Sequence, residues 1–145
     1  MVNKIGLASD HAGYEIKEHI RDLLKKKNIP FIDYGTCSTE STSYATFGHR
    51  LAKAIGKKEV QIGIAVCGSG NGINMTINKH PGIRAALCWN EEIARLARAH
   101  NDANVLSLPG RFVSTDLAER IVSVFLNTLF EGGRHQDRIN AIDQV

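Results

Sequence analysis

The run Cys67-Gly68-Ser69-Gly70-Asn71-Gly72 places a thiol directly ahead of alternating glycines. Once ionised, a cysteine is a nucleophile or a base, and glycines leave successive backbone N–H groups bare enough to converge on an anion. Three standard loops fail on spacing. A dinucleotide loop, G-x-G-x-x-G, needs its third glycine where the chain has Ile73. A nucleotide P-loop fails at Ile73 and Asn74, and a cysteine-phosphatase loop needs arginine where Ile73 stands. What survives is a glycine-rich turn between an apolar strand and a helix N-terminus, a place that favours an anion or oxyanion. The same field is expected to lower the Cys67 pKa and raise its thiolate fraction. The plainer alternative is a small buried hydrophobe beside glycines that serve helix–sheet packing.

Other chemically loaded residues are spread along the chain. Asp10 and His11 follow the first apolar run, where Asp10 is either a helix cap or a functional carboxylate and His11 is a donor to an anion. His100-Asn101-Asp102 closes a helical pattern, so His100 is either a dipole partner or a proton shuttle. Arg111 follows the last apolar run. Arg134 and Arg138 are four apart, so a helix puts both on one face, as solvated surface groups or as a phosphate grip. His19, His49 and His80 read as peripheral, and Cys37 and Cys88 as structural thiols. Together the set has a phosphate grip, a thiol base, an oxyanion-binding turn, a histidine and a carboxylate. It lacks a nucleotide loop and a metal-ligand cluster, so no metal or cofactor is expected. That inventory suits proton transfer next to a carbonyl on a small phosphorylated substrate.

The elements that must position these groups alternate. Strands are expected at residues 4–9, 30–35, 61–66, 83–89 and 103–108. Helical apolar spacing is carried by Ile16, Ile20, Leu23 and Leu24, by Phe47, Leu51 and Ile55, by Ile73 and Ile77, by Ile93, Leu96 and His100, and by Leu117, Ile121, Phe125 and Leu129. Strand–helix alternation with short links predicts an open, mostly parallel five-stranded sheet with helices on both faces, binding its ligand beyond the carboxyl ends of the strands. Asp10-His11, Cys67-Gly68-Ser69 and Arg111 each follow a strand, as that rule requires. After the Gly132-Gly133 break, residues 130–145 read as a polar extension with an Ile139/Ile142 helical edge docking on a partner subunit.

The whole chain, residues 1–145, reads as one domain with a core of ordinary size. Its net charge of +3 suits an anionic small molecule. The cations are scattered, apart from Lys25-Lys26-Lys27 at a helix end, so no nucleic-acid partner is expected. The three cysteines form no C-x-x-C pair, which points to a reducing, cytoplasmic location. No apolar run approaches the ~20 residues of a membrane span, and no membrane partner is expected.

The blocks GLASDHAGYEIKEHI, DYGTCS, AVCGSGNGINM, NKHPGIRAALCW, ARLARAHNDANVLSL and NTLFEGGRH, in this order, resemble the ribose-5-phosphate isomerase B family. That family also contains the galactose-6-phosphate isomerase subunits, and the resemblance covers nearly the whole chain. It implies a Rossmann-like three-layer α/β/α fold, a homodimer or dimer of dimers, and active sites at the subunit interface. It implies reversible conversion of D-ribose 5-phosphate to D-ribulose 5-phosphate, in the non-oxidative branch of the pentose phosphate pathway, without metal or organic cofactor. By resemblance Cys67 is the proton acceptor and His100 the acid that opens the furanose ring with Asp10. Ser69 touches the intermediate or the thiol. Gly68, Ser69, Gly70, Asn71 and Gly72 bind the enediolate, Asp10 and Tyr44 lie at the sugar, and His11, Asn101, Arg111, Arg134 and Arg138 are further substrate contacts, chiefly toward phosphate.

The chain departs from the family in two places. Ile73-Asn74-Met75 has no carboxylate where some relatives place the base, which favours Cys67. Ser43-Tyr44-Ala45 replaces the usual Asp-Tyr-Pro, loosening that loop. The competing readings are a hexose 6-phosphate isomerase of galactose or allose type and a non-catalytic sugar-phosphate-binding module. A binding module has no need of the Cys67 and His100 pair.

Overall fold

The structure, a computed structural model, describes residues 3–145. These form five strands, β1 (Ile5–Ser9), β2 (Phe31–Asp33), β3 (Ile62–Cys67), β4 (Ala85–Leu87) and β5 (Val105–Pro109), and six helices, α1 (Tyr14–Lys26), α2 (Tyr44–Gly56), α3 (Asn71–Ile77), α4 (Glu91–Ala99), α5 (Thr115–Asn127) and α6 (Arg134–Ile142). The sheet runs β2-β1-β3-β5-β4, and every pairing is parallel. This is the expected Rossmann-like α/β architecture, with an order that reverses between β1 and β3.

The three inner strands are buried along their whole length, which is why their sequences are apolar without alternation. Alternate side chains still serve different layers. Ile64 and Val66 face a cluster with Ile16, Ile20, Leu24, Ile121 and Phe125 from α1 and α5. Ala65 and Cys67 face the other layer, with Phe47, Leu51, Ile73 and Ile77 from α2 and α3. The starts of α2, α4 and α5 are fixed by side chains: Ser43 Oγ accepts from Ala45 N, Asn90 Oδ1 from Ile93 N, and Ser114 Oγ from Leu117 N. Lys25 and Lys26 lie in the last turn of α1, where cations complement the dipole.

The edge strands are shorter than the sequence pattern suggests. Each is paired on one side only, and β2 ends where Gly35 turns to a φ of +100°. Trp89 leaves the sheet so that Asn90 can cap α4. Helix α5 stops at Asn127, because Thr128 turns extended with its hydroxyl bonded back to Val124 O. Leu129, expected on the buried face, is therefore exposed. In α6, Ile139 is buried while Ile142 is open to solvent.

A parallel sheet has a carboxyl edge and an amino edge. Asp10, Cys67 and Arg111 lie at the carboxyl edge. Helix α4 returns the chain to the amino edge, so His100-Asn101-Asp102 sits just before β5 begins. The N–H of Glu131 donates to Ala99 O at 3.0 Å, which brings the start of α6 to the same end. The expected constellation is thus split in two, separated by the length of β5, roughly 15 Å. No helix among the described residues is long and apolar enough to cross a membrane.

Gly13 packs against β3 so closely that a Cβ would meet Val66 O at 2.4 Å. Backbone cannot yield as a side-chain tip can. Gly13→Ala is expected to destabilise the fold by about 1–3 kcal/mol in urea unfolding. Gly56→Ala, with open space around the added methyl, should be neutral or slightly stabilising in the same measurement.

Candidate active site

Cys67 is the last residue of β3 and is only 3% exposed. Its carbonyl accepts from Gly110 N at 2.8 Å, and Gly68 O accepts from Arg111 N at 3.0 Å, so the β3–β5 pairing continues into the loop that carries the sulfur. The chain then turns through Gly70, whose φ of +78° is left-handed, and enters α3. A side chain at Gly70 would also strike Leu87 at 2.4 Å, so glycine is required twice over.

The backbone N–H groups of Ile73, Gly70 and Gly72 lie around the sulfur and favour its anion. Burial opposes them and prevails, and the neighbouring Asp10 carboxylate adds to it, so the Cys67 pKa lies above the ordinary thiol value. This corrects the expectation of a lowered pKa. Spacing revealed the amide donors, but not the desolvation that outweighs them. Cys88 is pushed up to about 12 by burial alone, as suits a structural thiol. Cys37 is exposed.

The neighbours of Cys67 are held firmly. Asp10 is buried, and its Oδ1 accepts from Gly13 N at 3.0 Å, so it caps the turn before α1 while its carboxylate acts on the thiol. His11 Nδ1 accepts from Thr42 N at 3.1 Å. An N–H cannot accept, so in the neutral ring the proton sits on Nε2. Ser69 Oγ accepts from both the backbone N and the Nδ2 of Asn71, which locks those two residues together. The Tyr44 ring covers Gly72 so tightly that a Cβ there would lie 2.4 Å from its Cζ. The Arg111 guanidinium lies against Gly68, with Nη1 at 3.4 Å from the space a Cβ would take.

The second group gathers at the amino edge. His100 caps the end of α4 and stacks on His135, with ring centroids 4.2 Å apart and planes 13° from parallel. Glu131 Oε1 lies 3.6 Å from His100 Nε2. Burial, His100 and the nearby Arg134 and Arg138 hold the His135 pKa below the usual imidazole value, against a smaller opposing pull from Glu131. Asn101 is fixed through its carbonyl, which accepts from Arg84 Nε at 3.0 Å. Candidate ligand atoms of His100, Glu131 and His135 lie within 4.8 Å of one another. Parallel rings do not aim their in-plane lone pairs at one point, and two arginines flank them, so the arrangement suits proton handling beside an anion.

Glu131 and His135 were not singled out from sequence. The available signal was the spacing of His135 and Ile139, both buried on one face of α6. His49 and His80, read as peripheral, bond ring to ring at 2.7 Å and tie α2 to the loop after α3.

The pattern of the family described as ribose/galactose isomerase matches residues 5–142. Ribose-5-phosphate isomerase B of Escherichia coli is 41% identical over 144 residues, covering 99% of this chain and 97% of its own. The crystal structure of a ribose 5-phosphate isomerase from Thermotoga maritima superposes with a TM-score of 0.97 at 47% identity, covering 99% of both chains. Ribose-5-phosphate isomerase B of Mycoplasma genitalium, solved with bound ribulose-5-phosphate, gives 0.93 at 40% identity over 97% of this chain and 94% of that one.

Cys67 and Cys88 both hold their protons to higher pH when folded than in the unfolded chain, where thiols ionise near ~8.5. Above that pH the unfolded state loses protons that the folded state keeps. Stability is therefore complete below the ordinary thiol range and falls as pH rises from there toward about 12. Tyr34, raised by burial and Glu59, acts in the same direction. Urea unfolding between neutral pH and pH ~10 should show the decline. The Cys67→Ala/Cys88→Ala double variant should show a shallower one, and equal slopes would contradict the assignment.

Proposed function

The chain belongs to the ribose/galactose isomerase family, and from that premise we propose how it interconverts D-ribose 5-phosphate and D-ribulose 5-phosphate. The observation that carries the reading is the Cys67 sulfur, set at the start of the glycine turn among backbone N–H groups that favour its anion, with the Asp10 carboxylate beside it at the carboxyl edge of the sheet. His100 and Asp10 open the furanose ring, His100 giving a proton to the ring oxygen while Asp10 draws one from the anomeric hydroxyl. The Cys67 thiolate then takes the C2 proton. The electron pair of the C2–H bond forms the C1–C2 double bond, and charge collects on O1. The O2 proton passes to O1, and the Cys67 thiol returns its proton to C1. Positioned base catalysis of this kind contributes about 10²–10⁴-fold. A single amide donor to the enediolate is worth ~3–4 kcal/mol.

The separation of the two groups bears on assembly. One substrate must meet Cys67 and His100 together, and a single chain holds them at opposite ends of its sheet. Each site therefore takes Asp10, His11, Tyr44, Cys67, the Gly68–Gly72 loop and Arg111 from one copy. It takes His100, Asn101, Arg134 and Arg138 from a second, in a two-fold pairing that repeats the exchange at a second site. Segment 130–145 lies at that interface, and the chain acts as a single domain. Guanidinium groups arriving from the second copy add to Arg111 of the first the positive charge that favours the buried thiolate.

Two measurements test this. In a coupled assay on ribose 5-phosphate and on hexose 6-phosphates, Cys67→Ala should lose about 10²–10⁴-fold in kcat with KM changed only a few-fold. Full turnover would end the thiol mechanism. Cys67→Ala and His100→Asn, each inactive alone, should recover roughly a quarter of wild-type activity when unfolded together and refolded, because half the pairs are mixed and each mixed pair has one intact site. No recovery would mean that both groups act from one chain.

A further inference from the structure

Lys17 is a charged residue among the largest fully buried side chains, with 1% exposure, and it takes no part in the chemistry above. Its ammonium meets Asp33 Oδ2 at 2.7 Å and Glu18 Oε1 at 2.9 Å, and lies 5.4 Å from the centre of the Tyr14 ring. A buried ion pair is a poor device for stability, since well-packed apolar residues of the same volume usually do as well or better. What the pair supplies is direction. The other oxygen of Asp33 accepts from Gly35 N at 2.9 Å. Gly35 O accepts from Ser9 N at 2.8 Å, and Thr36 N donates to Ser9 O at 2.9 Å. The link from α1 thus runs through one carboxylate to the backbone that clasps the end of β1, immediately before Asp10 and His11. The same segment continues to Thr42, whose N–H bonds to His11 Nδ1, and to Tyr44, whose ring covers Gly72.

We propose that Lys17 is a positioning residue for His11: through Asp33 it anchors segment 33–44, so that Thr42 N holds the imidazole with its proton on Nε2, ready to donate to the substrate's phosphate. The catalytic importance of that donor rests on the function proposed above. The anchoring does not, and it is measurable without substrate. Without the anchor the Thr42 N–H is displaced, both neutral tautomers of His11 become populated, and part of the protein presents a lone pair to an anion.

The test is imidazole ¹⁵N NMR of the free protein beside steady-state kinetics. Wild type should show His11 as the Nε2–H tautomer. Lys17→Met should show a mixture, with KM for ribose 5-phosphate raised about tenfold and kcat within about twofold, the signature of a misplaced binding group. The double variant Lys17→Met/Asp33→Leu removes the buried ion pair, leaves Glu18 with Arg21 at 3.4 Å as its partner, and should give the same mixture. Leu24→Ala, a core truncation in the same helix, should lower Tm yet keep the Nε2–H tautomer. An unchanged tautomer and KM in the Lys17 variants would overturn the proposal, as would a different tautomer in wild type or a tautomer change in Leu24→Ala equal to theirs.

Discussion

The pairing of β3 with β5 is the contact on which the site depends. Its register, Cys67 opposite Pro109, passes without a break into Gly110 N to Cys67 O and Arg111 N to Gly68 O. Two strands deep in the sheet, buried on both faces, thereby fix the start of the glycine loop and the arginine beside it. Because α3 begins within that loop, the amides around the sulfur are also set by this ladder. Few other anchors are needed: Gly13 presses the turn after β1 onto β3, and the ring of Tyr44 closes over Gly72.

Burial gives the site its character and its cost. The sulfur shares a layer with Phe47, Ile73 and Ile77, and there a thiol keeps its proton. The amide donors pull the other way but do not win within one chain. Positive charge from outside the chain is the natural complement, and the cations at the amino edge are suited to provide it. His135, partly buried, stacked on His100 and flanked by Arg134 and Arg138, gives up its proton more readily than a free imidazole.

The sheet and its helices were legible in the sequence because continuous apolar runs and helical spacing are different signals, and both were strong in the inner strands and in α1, α2 and α5. The edge strands came out shorter, since half-paired backbone is ended by local events such as the turn at Gly35 and the cap at Asn90. Residues that follow strands were readable as a group, and Asp10, Cys67 and Arg111 meet as that rule implies. His100 and Arg134 follow the return of the chain to the other edge, which the same alternation implies but a search for chemical residue types does not weigh. Lys17 shares a face with Ile20 and Leu24 yet passes as a surface lysine until its burial is seen. The direction of the Cys67 pKa depends on how much water is excluded, and spacing carries no measure of that.

The division of the site between the two edges has a consequence for how the protein works at low abundance. If every reaction centre is assembled from halves, a lone protomer turns over nothing, and output tracks the population of pairs. Dilution then silences the protein steeply, by mass action, well before any chain unfolds. In a pair assembled that way, a substitution at either edge strikes both centres.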